Sequence, residues 1–187
     1  MEYTSPMENE RNNKTLDLVY VAIGAALIAV CSWIVIPTTV PFTLQTFAVF
    51  LVLLILGGDR GLMSTFVYVA MGAIGLPVFA GFKGGIGVLF GSTGGYIIGF
   101  IFTGLIYAMF TRLLGEKLIV KAVSLIIGLI VCYAFGTAWF MYIYTRDTGA
   151  IGVFGVLSWC VFPFVIPDLI KLAAAFAVSK RVARVIR

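Results

Sequence analysis

Two opposite charges stand three positions apart in an apolar stretch near the end of the chain. Asp168 and Lys171 lie within Val165-Ile-Pro-Asp-Leu-Ile-Lys171, and the run 172–178 that follows is entirely apolar. On a helix, side chains three positions apart share a face, and each charge costs about 2.5–3.5 kcal/mol at the centre of a membrane helix. Such residues usually face the protein interior and mark a place where something polar is handled. The alternative is an ion pair that only locks two helices together.

The composition is that of an integral membrane protein. The 187 residues are 61% hydrophobic and only 11% charged, with a mean hydropathy of +1.11, whereas soluble domains carry roughly 25% charged residues. The length allows one compact domain and leaves no room for a nucleotide-binding domain. The net charge of +5 comes from basic residues at the ends of apolar runs, which indicates membrane topology and excludes a nucleic-acid-binding surface.

Cysteine and histidine usage argues against an enzyme and against a metal site. The chain has three cysteines in apolar runs, Cys31, Cys132 and Cys160, with no CxxC pair and no histidine. Zinc sites and histidine-based catalytic triads are therefore excluded as the chemistry of this chain. The cysteines are interpreted as small hydrophobic packing residues.

The pattern of apolar runs predicts an all-α, six-helix membrane bundle. Residues 1–15 are polar and unlike a signal peptide, so we expect a disordered tail followed by a single transmembrane domain over 16–187. Prolines at 163 and 167 predict a short outer helix near 151–162, a break, and a last span that starts near Pro167, with Asp168 by the positive end of its dipole. The spans are expected at about 18–36, 40–57, 61–79, 96–114, 122–144 and 163–184, with a tight hairpin turn at 57–61 between the second and the third.

The segment between the third and fourth spans is irregular. Residues 80–95 contain seven glycines among sixteen residues, which rules out an ordinary helix. Irregular backbone at membrane depth survives only where protein covers it or where it lines a cavity. Because the Gly-Lys-Ser/Thr ending of a phosphate loop is missing, we expect a loop over a pocket mouth, with Lys83 available for an anion.

Basic residues predict the orientation of the bundle. With the N-terminus inside, ten lysines and arginines fall on the inner side and two, Lys83 and Arg146, on the outer side, so both termini are expected in the cytoplasm. Asp168 is twelve residues before Lys180, or about 18 Å along a helix. The acid therefore belongs to the outer half of the membrane, together with Gln45 and the glycine-rich loop.

Small residues repeat at helical spacing in the first span. Ala22 and Ala26 form one pair four positions apart, and Ala25 and Ala29 form another. Such pairs permit close approach of helices. These pairs are consistent with packing inside the chain and equally with docking of a partner helix.

A pocket with these polar groups suits a small, mostly apolar ligand with a polar head. Asp168 can accept from N–H groups and Lys171 can donate to a carbonyl, and a cyclic urea offers both side by side. Lys83 can hold a distant carboxylate. The aromatic residues that can enclose a ring or an aliphatic tail, when they are not simply packing or interfacial residues, are Phe42, Phe82, Tyr96 and Trp159.

Four motifs together resemble one family of vitamin transporters. The motifs are Pro41-Phe-Thr-Leu-Gln45, Gly75-Leu-Pro-Val-Phe79 with Gly81-Phe-Lys-Gly-Gly85, Gly91-Ser-Thr-Gly-Gly-Tyr96, and Ile166-Pro-Asp168-Leu-Ile-Lys171. From about residue 18 to 180 the chain is similar to the BioY family, the biotin-binding S components of energy-coupling-factor (ECF) transporters. Some family members have asparagine at the position of Lys83 and arginine at that of Ile97, so here Lys83 is expected to take over the contact with the ligand carboxylate.

The resemblance implies a non-enzymatic subunit of a prokaryotic plasma membrane that captures biotin and uses no cofactor. The ureido ring of biotin would contact Asp168 and Lys171, while the alanines of the first span would dock on a transmembrane T component that works with two ATPases. It also implies that the S component topples or rotates in the membrane. The residues that would line or close the pocket are Gln45, Phe42, Lys83, Gly84, Gly85, Tyr96 and Trp159.

Three other interpretations stay open at this point. The first is an S component for another vitamin, such as lipoate, thiamine or riboflavin. The second is a stand-alone secondary carrier with Asp168 and Lys171 as a proton relay, although no inverted repeat with matching spacing is visible. The third is a small membrane enzyme using Cys160 or Ser158, for which no histidine is available as an activating base.

Overall fold

The structure is a computed structural model that describes residues 6–37, 41–149 and 151–185. Over these ranges the chain is mostly helical, with a short two-stranded antiparallel sheet in which Val35 faces Thr43 and Ile36 faces Phe42. The elements are α1 (Pro6–Trp33), β1 (Val35–Ile36), β2 (Phe42–Thr43), α2 (Gln45–Ala73), α3 (Ile86–Leu89), α4 (Gly94–Leu114), α5 (Leu118–Asp147), α6 (Val153–Cys160) and α7 (Phe162–Val185).

The long helices have the length and apolar composition of membrane spans. Large hydrophobic side chains such as Leu18, Ile130 and Ile170 are exposed on their outer surfaces, as lipid contact requires. The protein is thus a multi-pass membrane protein. The five stretches that meet the criteria of length and hydropathy within the described residues are Lys14–Trp33, Gln45–Ala73, Gly94–Leu114, Leu118–Asp147 and Val153–Val182.

Helix α2 is a helical hairpin, which confirms the turn predicted at 57–61. Gly57 has φ 82° and ψ 178°, a conformation outside the helical region that glycine adopts without a steric penalty. Gln45 Nε2 lies 2.9 Å from the hydroxyl of Tyr68, although 23 residues of straight helix would span about 35 Å. The arms 45–56 and 58–73 therefore run antiparallel, and with α1, α4, α5 and α7 they make the six long helices that the sequence predicts.

The bundle has two closely packed groups of helices. Helix α4 packs most extensively on α5, while α1 and α7 pack mainly on α2, which also contacts α4. Small residues allow the close approach, since a Cβ at Gly99 would press on Cys132 and one at Gly128 on Thr103. Buried apolar residues from most of these helices form one core, which includes Ile28, Val49, Leu53, Leu125 and Ala175.

Several helix boundaries differ from the prediction. Helix α1 begins at Pro6, so residues 6–15 are helical instead of forming the expected unstructured tail, while residues 1–5 lie outside the described part of the chain. The third span ends at Ala73 and not near 79, because Gly75 (φ 107°) turns the chain out of the helix. The fourth and fifth spans extend beyond the predicted limits 96–114 and 122–144, to Gly94–Leu114 and Leu118–Asp147.

The break before the last span lies earlier than expected. Val161, with φ −124° and ψ −58°, separates α6 from α7, and α7 then includes Pro167. Pro163 is among the first four residues of α7, whose N–H groups have no partner within the helix, whereas Pro167 is the sixth residue and removes the bond that an N–H there would make to the carbonyl of Pro163. Asp168 consequently lies in the second turn of α7, and the prediction that it sits beside the positive end of the helix dipole was wrong.

The glycine-rich segment between Ala73 and Gly94 is irregular, as predicted, apart from the short helix α3. Phe79 and Lys83 form an isolated antiparallel bridge. The N–H of Gly85 donates to the carbonyl of Gly72 over 2.7 Å, which joins the segment to the end of α2. Phe82 has a positive φ of 57°, an uncommon conformation for a residue with a side chain. This segment therefore has one defined conformation without regular structure.

Candidate ligand-binding site

A cavity of about 120 Å³ lies between β2, α2, α4, α5, α6, α7 and the glycine-rich segment. A single water molecule needs roughly 10–15 Å³, so this space is large enough for part of an organic ligand as well as for water. Its wall contains Pro41, Thr43, Gln45, Thr46, Phe79, Ala80, Lys83, Val88, Thr93, Tyr96, Ile97, Phe100, Leu129, Cys132, Tyr133, Cys160, Phe164, Asp168 and Lys171.

Asp168 and Lys171 form an ion pair in the wall of this cavity. Lys171 Nζ donates to Asp168 Oδ1 over 2.8 Å, and the residues are 7% and 3% exposed, respectively. The hydroxyl of Tyr133 donates to Asp168 Oδ2 over 2.5 Å. The ammonium also lies 4.2 Å from the ring centroid of Phe42, a favourable cation–π arrangement. The pair is thus buried in the protein but borders open space.

This arrangement presents an acceptor and a donor side by side. Removing two charges from water costs free energy that is recovered only when hydrogen bonds satisfy the groups. Each carboxylate oxygen can accept a further hydrogen bond, and the ammonium of Lys171 carries three N–H groups, one of which is directed at Asp168. A ligand that offers an N–H next to a carbonyl would complete both partners.

Two further polar side chains of the wall are held in place by hydrogen bonds. Gln45 is 5% exposed, and its Nε2 lies 2.9 Å from the hydroxyl of Tyr68. The hydroxyl of Tyr96 lies 3.2 Å from Thr137 Oγ1. Both side chains are therefore fixed before any ligand arrives.

Lys83 reaches the same cavity from the glycine-rich segment. It is exposed, and so are its neighbours Gly81 and Phe82. Its carbonyl accepts from the N–H of Phe79 over 2.9 Å, which fixes the backbone while leaving the long side chain free to move. Besides these charged groups, the wall contains the apolar side chains Phe79, Val88, Ile97, Phe100 and Leu129. An elongated ligand with two polar ends and an apolar middle suits this distribution.

Five residues that the sequence assigned to the pocket lie outside its wall. Phe42 contacts the site indirectly, because it stacks on Phe164 at 5.7 Å and lies beneath Lys171. Gly84 and Gly85 contribute to the loop through their backbones. A Cβ at Gly84 would collide with the carbonyl of Leu76, and the N–H of Gly85 donates to the carbonyl of Gly72.

Trp159 is 47% exposed and meets Tyr144 edge-on at 6.1 Å. Phe82, the other aromatic residue suggested for the pocket, is also exposed and stacks on Trp33 at 4.9 Å. Neither ring belongs to the cavity wall. Asp168, Lys171, Lys83, Tyr96 and Gln45 do line the cavity, and their role in ligand binding stays a prediction.

Sequence reasoning missed Tyr133 and the α5 wall to which it belongs. The positions 129, 132, 133, 136 and 137 have the spacing i, i+3, i+4, i+7 and i+8 of one helix face. Three of these residues, Leu129, Cys132 and Tyr133, line the cavity. A polar tyrosine among these positions was the available signal. The signal was weak because apolar residues surround it on every face of the helix.

The two alanine pairs of α1 lie on different faces. Ala25 and Ala29 are 1% and 5% exposed and pack inside the bundle, whereas Ala22 and Ala26 are exposed. Of the two interpretations that the sequence left open, internal packing therefore applies to Ala25 and Ala29. Ala22 and Ala26 leave a surface of small side chains facing outward.

Comparison with known proteins identifies the family. The BioY family model matches residues 7–187. This chain belongs to the BioY family. The biotin transporter BioY of Thermotoga maritima is 42% identical over 171 residues, covering 89% of this chain and 95% of that protein. The probable biotin transporter BioY of Pyrococcus horikoshii is 38% identical over 169 residues, with coverages of 90% and 96%.

The fold has a solved counterpart. A crystal structure of the S component for biotin from an ECF-type ABC transporter superimposes with a TM-score of 0.79 at 24% sequence identity, and the match covers 97% of this chain and 95% of the other. At this identity the likeness concerns the fold. Family membership places the chain among membrane transport proteins and not among enzymes. Within the described residues, no group of three or more potential metal-binding side chains is found.

Proposed function

We propose that this protein is the substrate-binding S component of an ECF-type importer and that its ligand is biotin. The observation that carries the proposal is a carboxylate and an ammonium that are almost fully buried yet border a cavity. A bilayer protein retains such charges where they handle something polar. Relatives 42% and 38% identical to this chain are named biotin transporters, which supports biotin over other ligands with a similar polar head.

The pose follows from the chemistry of the wall. A ureido N–H donates to Asp168, and the ureido oxygen accepts from Lys171. The fused rings and the aliphatic tail lie against apolar side chains such as Phe79 and Phe100. Lys83 receives the carboxylate at the end of the tail, as a flexible point charge does. The excess of basic residues on the opposite side supports an orientation with both termini in the cytoplasm and the glycine-rich segment outside.

The partners in this proposal are a transmembrane T component and two ATPases. The sequence contains no phosphate-binding motif of its own, so ATP hydrolysis belongs to other chains. The exposed face of α1 at Ala22 and Ala26 supports docking of a helix, because small residues let backbones approach closely in lipid. Ala25 and Ala29 contribute by holding α1 against the bundle.

Ligand binding is tested by calorimetry on the purified protein in detergent or nanodiscs. We expect saturable biotin binding that lipoate, thiamine and riboflavin do not displace. Asp168→Asn keeps the shape but removes the charge, and should weaken binding strongly. Asp147→Asn, the same change at an exposed residue, is the matched control. No saturable biotin binding, or equal affinity of wild type and Asp168→Asn, would reject the proposal.

Partner docking is tested by co-purification with a T component. Ala26→Leu fills the exposed small-residue face of α1 and should abolish co-purification while leaving biotin affinity unchanged. Ala177→Leu makes the same change at an exposed alanine of α7 and serves as the control. Loss of the complex in Ala177→Leu but not in Ala26→Leu contradicts the docking surface without affecting the ligand assignment.

A further inference from the structure

Tyr133 contacts the buried carboxylate of Asp168 from a different helix. Its hydroxyl donates to Asp168 Oδ2 over 2.5 Å, while Lys171 Nζ donates to Oδ1 over 2.8 Å. We propose that Tyr133 is a positioning residue, which holds the Asp168 carboxylate in the orientation that receives the polar head of the ligand. The inference rests on the proposed function, since it concerns how the same site recognises biotin.

The two donors hold Asp168 against different parts of the molecule. Lys171 is on α7 itself, one turn beyond Asp168, so their ion pair moves with that helix. Tyr133 is on α5, which packs most extensively on α4, whereas α7 packs mainly on α2. The bond from Tyr133 therefore joins the two groups of helices at the cavity. It fixes the carboxylate relative to the α5 wall, where Leu129 and Cys132 also line the site.

Fixing both oxygens determines where the remaining lone pairs of the carboxylate point. The terminal torsion of an aspartate side chain is broad and roughly two-fold, so a carboxylate held by one oxygen can still turn. With Lys171 on Oδ1 and Tyr133 on Oδ2, the plane of the group is set. Each oxygen keeps one further acceptor site, and an acceptor that is already oriented loses less entropy when the ligand binds.

The first experiment removes the hydroxyl and keeps the ring. Tyr133 itself lines the cavity, so Tyr133→Phe preserves any apolar contact with the ligand. We expect biotin affinity to fall about two- to tenfold, because the carboxylate must then be ordered when the ligand binds, at a cost of about 0.5–1.5 kcal/mol. Tyr142→Phe, the same change at an exposed position of α5, is the matched control. Unchanged affinity in Tyr133→Phe overturns the inference.

A double-mutant cycle separates an effect through Asp168 from a direct bond between the Tyr133 hydroxyl and the ligand. In the Asp168→Asn background, adding Tyr133→Phe should change affinity by less than about twofold, because the charged acceptor is already gone. If Tyr133→Phe lowers affinity by the same factor in both backgrounds, the hydroxyl acts on the ligand itself and Tyr133 is not a positioning residue.

Ligand analogues provide a second readout, which does not require the weakly binding Asp168→Asn variant. Biotin is compared with two analogues, each methylated at one ring nitrogen, on wild type and Tyr133→Phe. The difference between the two proteins should vanish for the analogue that has lost the N–H facing Asp168. An equal loss with all three ligands points to a general structural defect and overturns the inference. Wild-type protein that binds no biotin refutes the proposed function, and the inference falls with it.

Discussion

The buried ion pair and the loop lysine are two charged parts of the same cavity that are built in different ways. Asp168 and Lys171 are on a helix, nearly inaccessible to solvent, and bonded to each other. Lys83 is on an irregular segment and exposed, and within the described residues no ion pair involves its side chain. The buried pair is therefore organised in advance, whereas a contact with Lys83 must form when the ligand arrives. Affinity is expected to depend more on the former.

The backbone around Lys83 is nevertheless well anchored. Trp33 Nε1 donates to the carbonyl of Pro77 over 2.8 Å, and Trp139 Nε1 donates to that of Gly91 over 3.0 Å. Ser32 Oγ also donates to the carbonyl of Val78. Side chains of α1 and α5 thus hold the segment on both sides of Lys83. The conformational freedom in this loop is therefore that of the Lys83 side chain and not that of the backbone.

Breaking the buried pair is expected to have the largest effect. Lys171→Met leaves the carboxylate of Asp168 buried without its counter-charge, which costs about 3–5 kcal/mol of stability. Biotin affinity should fall by at least about 100-fold. Thermal unfolding and calorimetry on the same samples measure both quantities.

A double variant separates stability from recognition in that experiment. Asp168→Asn combined with Lys171→Met removes both charges, so the unfolding temperature should recover most of its loss, while biotin binding should not return. Recovery of binding in the double variant would mean that the pair is structural, and would remove the main difference between the two parts of the cavity.

The second largest effect is expected from a change in the loop backbone. In Gly84→Ala the new Cβ collides with the carbonyl of Leu76, and a backbone atom cannot yield as a flexible side chain does. The segment that carries Lys83 must shift, and we expect about tenfold weaker biotin binding. Gly87→Ala is the matched control, because its Cβ meets nothing within 4 Å. Equal affinities of the two variants would show that the loop conformation is irrelevant to binding.

The sequence predicted the features that a local pattern encodes. The isolated charges of the last span, the glycine-rich break and the hairpin at Gly57 each follow from residue types that apolar helices rarely contain. Which side of α5 faces the cavity could not be predicted in the same way, because α5 is apolar on all sides and periodicity then carries little information. Tyr133 was missed for this reason.

Helix ends were predicted poorly for a related reason. Hydropathy locates the boundary of the membrane and not the end of a helix. The polar residues 6–15 therefore belong to α1, although a disordered tail was predicted there. Trp159 was suggested for the pocket as one of the aromatic residues that can enclose a ring or an aliphatic tail. The break at Val161 sets the direction of α6 relative to α7. That direction depends on packing contacts, which a local sequence pattern does not contain.

A smaller effect is expected from Lys83→Gln, which removes the charge of the exposed lysine. Exposed ion pairs contribute about 0.2–1 kcal/mol, so biotin affinity should fall roughly two- to fivefold. Biotin methyl ester has no carboxylate, and the two proteins should bind it equally. A loss as large as that of Lys171→Met, or an equal loss with the ester, would contradict the assignment of Lys83 to the far end of the ligand.

The smallest effect is expected at Trp159, which tests where the cavity ends. Trp159→Ala removes a large ring that is half exposed and absent from the wall, so affinity should change by less than about twofold. Phe164→Ala is the matched control, since Phe164 lines the cavity and stacks on Phe42 at 5.7 Å. It should lower affinity further than Trp159→Ala does. If the order is reversed, the ring of Trp159 takes part in closing the site, and the buried side of the cavity is less fixed than its ion pair suggests.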